Sequence, residues 1–157
     1  MAVLGLVAVL GAACGDSKGG TASGTGTAGE GEAPVTLASK ANNHGTADAR
    51  SKTSLEVEAD DYYFGPTYIH AKAGQSIKLE LANEGKATHT FTTEDGKTDQ
   101  ELAPGAKKTV TVTAPATGLL VYYCRFHRGE GMQGAVYLNQ GDKASAGTGT
   151  STGGYGY

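Results

Sequence analysis

From residue 54 onward, apolar and polar positions alternate in short runs separated by turn residues. Leu55-Glu56-Val57-Glu58 alternates, Tyr62-Tyr63-Phe64 runs into the break Gly65-Pro66, and Tyr68 to Lys72 ends at the turn Ala73-Gly74-Gln75. Ser76 to Leu81 has a clean period of two, with Ile77, Leu79 and Leu81 on one face. Asn83-Glu84-Gly85-Lys86 turns the chain into Thr88 to Thr92, and Ala103-Pro104-Gly105 precedes Lys108 to Thr113, where Val110 and Val112 share a face. Leu119 to Cys124 and Ala135 to Leu138 complete the set. No window has the 3.6-residue period of an amphipathic helix. About seven short strands at intervals of roughly eight to twelve residues predict an all-β domain, an antiparallel sandwich with Greek-key connections. Its predicted core is Leu55, Val57, Phe64, Ile69, Ile77, Leu79, Leu81, Phe91, Val110, Val112, Leu120, Tyr122 and Val136.

Glycine divides the 157 residues further. Of 25 glycines, seven fall between Gly15 and Gly31 and six between Gly141 and Tyr157. The segment 15–52 is Gly, Ser, Thr, Ala and Asn with scattered charges and no hydrophobic period, so it is expected to be a flexible linker. Residues 53–139 are the expected folded domain and 140–157 a low-complexity tail. The domain carries eight Lys plus Arg against eleven Asp plus Glu. That balance lacks the basic face of a nucleic-acid binder and favours a soluble monomer steered towards a basic partner.

Met1 to Ala13 is apolar or glycine throughout and runs into Cys14. The stretch is too short for a ~30 Å hydrocarbon core and reads as the hydrophobic part of an export signal occupying residues 1–14. Leu10-Gly11-Ala12-Ala13-Cys14 resembles a bacterial lipobox, which implies lipidation of Cys14 and anchoring to the cell membrane; the leucine stands four places before the cysteine rather than three, and no basic residue precedes it. Without an anchor, the exported protein would be periplasmic or secreted. Lipidation leaves Cys124 single; the alternative is a disulfide from Cys14 to Cys124.

Cys124, His127 and Met132 stand at the spacing C-x2-H-x4-M, with His89 about one strand pair upstream. Each alone has an ordinary explanation: a buried cysteine, a surface histidine, a core methionine. Yet Met132 is the sole methionine after Met1, and Cys124 the sole cysteine after Cys14. Gly129 and Gly131 would let the loop fold back so that its side chains converge. Thiolate and thioether favour Cu(I), imidazole accommodates Cu(II), and such a set tolerates both valences. Zinc would find the thioether a poor fourth donor. His44 lies in the expected linker, and His70 is expected to face water.

The segment from about Tyr63 to Asn139 resembles a cupredoxin of the plastocyanin, pseudoazurin and amicyanin kind. The likeness rests on Phe64-Gly65-Pro66, Ala73-Gly74-Gln75, Asn83-Glu84-Gly85, His89-Thr90-Phe91, Ala103-Pro104-Gly105 and Tyr123-Cys124-x2-His127-x4-Met132, in the family's order. It implies one type 1 copper held by His89, Cys124, His127 and Met132, and a one-electron shuttle rather than an enzyme. It also implies a redox protein partner docking near His127, with Phe126 and Met132 as apolar contact surface and Arg125 and Arg128 at the flanks. Thr90 replaces the Asn that in several members ties the two ligand-bearing loops. The competing reading is a carrier that hands Cu(I) to a partner. An oxidase would need the His-x-His pairs that this chain lacks.

Overall fold

The computed structural model describes residues 32–144. Among the described residues, ten strands make two facing sheets. They are β1 (Thr46–Asp48), β2 (Ser54–Asp60), β3 (Tyr63–Gly65), β4 (Tyr68–His70), β5 (Ser76–Asn83), β6 (His89–Thr93), β7 (Asp99–Leu102), β8 (Lys107–Thr113), β9 (Leu119–Tyr123) and β10 (Gln133–Tyr137). One sheet has six strands in the order β1-β4-β10-β9-β6-β7, and the other has four in the order β3-β2-β5-β8. The only helical element among the described residues is the 3-10 turn Arg128–Glu130.

The expected sandwich is present, but its sheets are mixed rather than antiparallel. β1 and β10 both run parallel to β4, and β2 runs parallel to β5. The reason is connectivity: between β2 and β5 the chain crosses to the other sheet to form β4, so it returns in its original direction instead of as a hairpin.

Every residue of the expected core packs between the sheets, with Leu55 and Val110 only partly buried. Ala49, Ala59, Ala71, Leu102, Ala114, Cys124 and Met132 join them. Phe64, Phe91 and Tyr122 form an aromatic centre, and the Tyr122 hydroxyl lies 3.0 Å from the Pro66 carbonyl and 2.9 Å from that of Thr67.

The folded unit begins earlier than the glycine pattern implied. Residues 32–52, expected to be linker, lie against the sandwich, and β1 extends its larger sheet. The cause is the outer face of that sheet. Tyr68, Ala135 and Tyr137 point away from the main core, and Val35 and Leu37 cover them. Gln133 adds a polar anchor: its amide nitrogen lies 2.9 Å from Ser39 O, 2.7 Å from Ser39 Oγ and 2.9 Å from Lys40 O. The start of the expected tail is also held, since Thr36 and Lys143 form a bridge and Ala144 N–H donates to Thr36 O. The signal segment, the linker before residue 32 and the tail after residue 144 lie outside the described residues.

His44 and His70 also differ from expectation. His44 stacks on Tyr63 with ring centroids 3.4 Å apart, and His70 stacks on Tyr137 at 4.8 Å with its Nε2 3.0 Å from Leu138 O. Both are half-buried.

A chain beginning at residue 53 loses β1, uncovers Tyr68 and Tyr137, and leaves the Gln133 amide without its three acceptors. We expect it to be less stable than a chain beginning at residue 32 by at least about 3 kcal/mol, as read by urea unfolding.

Candidate metal centre

Three predicted ligands meet at one end of the sandwich. His89 opens β6, Cys124 follows β9, and His127 lies in the loop that returns to β10. The Cys124 sulfur is 3.5 Å from His127 Nδ1 and 3.9 Å from His89 Nδ1, and the two nitrogens are 3.1 Å apart. A triangle with these sides has a centre roughly 2 Å from every corner, the length of an ordinary metal bond to imidazole or thiolate. The three residues are the one convergent His/Cys/Asp/Glu group of this kind among the described residues. Two imidazoles and a thiolate suit copper in both valences, and the site fits one copper ion.

Met132 is fully buried in the core beside this loop. Its backbone closes the loop twice, by Cys124 N–H to Met132 O at 3.0 Å and Met132 N–H to His127 O at 3.1 Å. The glycine at 131 ends the 3-10 turn in a left-handed conformation, φ 96°, which reverses the chain towards Cys124.

His89 is oriented from behind. Its Nε2 is 3.0 Å from Asp61 Oδ1, and Asp61 also accepts the backbone N–H groups of Lys86 (3.1 Å) and Ala87 (3.3 Å). An acceptor at Nε2 keeps the ring proton there and leaves the Nδ1 lone pair facing the metal position. Burial lowers the pKa of His89 against the opposing pull of Asp61. The backbone N–H of Lys86, foremost, lowers that of Asp61. Gly85 belongs to this arrangement, since a Cβ there would stand 2.5 Å from Asp61 Oδ1 and 3.1 Å from His89 Nε2.

Thr90 ties the two ligand-bearing segments. Its N–H donates to the Cys124 sulfur at 3.3 Å, and its hydroxyl accepts the Arg125 N–H at 2.8 Å. The hydroxyl chain continues to Thr92 Oγ1 at 3.1 Å and from there to Asp99 Oδ1 at 2.8 Å. Asp99 can only accept, so the hydroxyl protons run towards it. The shorter side chain at 90 therefore replaces the tie that an Asn provides.

The face around His127 differs from expectation in two ways. Met132 contributes nothing to it, being buried; Tyr62 takes that place, 40% exposed, with its ring 4.4 Å from that of His127, while Phe126 is 49% exposed. The two arginines are engaged rather than free. Arg125 pairs with Asp99 at 3.0 Å, and Arg128 pairs with Glu94 and lies over the Tyr123 ring at 4.2 Å. Sequence reasoning missed Asp61 and Tyr62, because an acidic pair at a strand end and one more tyrosine carry no spacing signal.

A family model described as a cupredoxin-like domain matches residues 33–137. A curated relative, the copper-resistant cuproprotein CopI of Pseudomonas aeruginosa, is 44% identical over 43 residues, 27% of this chain and 24% of that protein. The matched stretch thus spans about a quarter of that relative. Among solved structures, reduced auracyanin from Roseiflexus castenholzii is similar with a TM-score of 0.48 and 21% identity, over 56% of this chain and 98% of that one. Auracyanin A of Chloroflexus aurantiacus, a "blue" copper protein, gives a TM-score of 0.46 and 18% identity over 60% of this chain and 100% of that one. A multicopper oxidase gives 0.47 and 19%, over 54% of this chain and 41% of that one.

Replacing Thr90 by Val leaves the part-buried Arg125 N–H without its acceptor and breaks the chain to Asp99. We expect a loss of about 1 to 3 kcal/mol in thermal or urea unfolding, largely restored by Thr90→Ser.

Proposed function

Since the chain belongs to the cupredoxin-like family, we propose that it is a type 1 copper protein that carries single electrons and is not an enzyme. The observation that carries the reading is the convergence of Cys124, His89 and His127 within bonding distance of one point. Copper bound there would supply a one-electron couple, with Met132 as the weak fourth donor. The protein's part is to hold the donors still. Asp61 fixes the His89 ring, the Thr90 N–H partly offsets negative charge on the sulfur, and the two backbone bonds of Met132 close the ligand loop. Donors held in this way need little rearrangement when the valence changes, which lowers the barrier to transfer.

His127 is the ligand that reaches the surface. His89 and Cys124 are fully buried, whereas His127 is half-buried between the exposed rings of Tyr62 and Phe126. A redox protein with an apolar contact face docks here, and electrons pass through the His127 edge. With Arg125 and Arg128 neutralised by acidic neighbours, shape and apolar contact favour this partner more than positive charge does. The chain acts as a monomer outside the cytoplasm, anchored through Cys14. No helix among the described residues is long and apolar enough to cross a membrane.

The second reading is carriage of Cu(I) to a partner, favoured by the similarity to a copper-resistance cuproprotein. The two separate on copper retention: a shuttle keeps its ion against a chelator and cycles reversibly, and a carrier surrenders it. We expect the copper-loaded protein to show a paramagnetic-resonance signal and an intense thiolate-to-Cu(II) band, and Cys124→Ser to abolish the band. Survival of the band in that variant, or a colourless copper-loaded protein that cannot be oxidised, rejects the shuttle.

A further inference from the structure

Asn42 lies in the segment that sequence composition marked as linker, yet it bonds to two separate turns beside the metal position. Its backbone N–H donates to Gly131 O at 2.9 Å, and its side-chain nitrogen donates to Glu130 O at 2.8 Å and to Tyr62 O at 3.0 Å. Its carbonyl accepts from the Thr67 hydroxyl at 3.0 Å, which fixes Asn42 to the body of the sandwich. One residue thus joins two turns that are 68 positions or more apart in sequence.

Each turn carries part of the centre. The first holds Asp61, which orients His89, and Tyr62, whose ring lies on His127. The second is the end of the ligand loop, immediately before Met132. The packing there is close: a Cβ on Gly131 would stand 2.9 Å from Asn42 Oδ1. A shift of either turn would move a donor, or the residue that aims one, and the side-chain amide of Asn42 is what spans them.

The geometry points to Asn42 as a positioning residue for the metal centre, bracing the Asp61–Tyr62 turn against the Glu130–Gly131 turn through its two amide donations. The inference rests on the copper reading above. Loss of a residue that orients metal ligands lowers metal affinity by roughly 10- to 100-fold, which gives the size of the effect to look for.

The test uses the full copper-loaded chain with Asn42→Ala and Asn42→Asp. The aspartate keeps the shape and removes both donations, so it carries the test should the alanine variant fail to fold. Gln75→Ala is the control: Gln75 anchors the same N-terminal segment, donating to Ala49 O at 2.7 Å and Lys52 O at 2.9 Å, but at the end of β5 remote from His89. Copper loss to a chelator, the visible and paramagnetic-resonance spectra and the melting temperature are measured for each. The expected result is copper loss at least about tenfold faster and an altered spectrum in the Asn42 variants, with Gln75→Ala melting earlier but keeping the rate and spectrum of the unaltered chain. Unaltered rates and spectra in both Asn42 variants, or an equal effect in Gln75→Ala, overturn the inference while leaving the copper reading intact. An unaltered chain that takes up copper without a thiolate band overturns the copper reading, and this inference with it.

Discussion

The register between β6 and β9 is the constraint on which the site depends. Thr92 faces Tyr123 and Thr93 faces Tyr122, so Thr90 comes to lie beside Arg125 and its N–H beside the Cys124 sulfur. A slip of one residue would turn the sulfur and the His89 ring to opposite faces, because strand side chains alternate. The hydroxyl chain from Thr90 through Thr92 to Asp99, closed by Arg125, is satisfied in this register alone. Backbone pairing, side-chain hydrogen bonding and ligand placement therefore specify the same alignment, which is the agreement across levels that gives a sequence a single fold.

How much of this could be read in advance depended on whether a residue's role follows from local pattern. Period-two alternation identified Ile77, Leu79 and Leu81, and the interval Cys124-x2-His127-x4-Met132 identified the ligand loop, because both are local. The packing of residues 32–52 was not legible, since Gly, Ser, Asn and Ala in that stretch carry no hydrophobic period. A signal did exist on the other partner. Ala135-Val136-Tyr137-Leu138 is apolar without alternation, the mark of a strand covered on both faces, and the cover had to come from elsewhere in the chain. The parallel pairings were hidden for a different reason: turn residues show where strands end, not which sheet the next strand joins.

Asp61, Tyr62 and Asn42 were illegible in a stricter sense. None belongs to a motif, and each acts on a ligand from a distant part of the chain. His89 owes its orientation to a carboxylate 28 positions away, and the surface of His127 is shaped by a tyrosine next to that carboxylate. The ligands themselves follow from chemistry, while the groups that aim them follow from topology.

The borders of the two sheets carry one more consequence. β1 is three residues long and β3 is three, ending at Gly65-Pro66; β7 contains Asp99 and Glu101, and β8 opens with Lys107 and Lys108. Short length, proline and charge are the features that discourage an open strand from recruiting another. Edges of this kind thus discourage copies of the chain from growing into ribbons with one another.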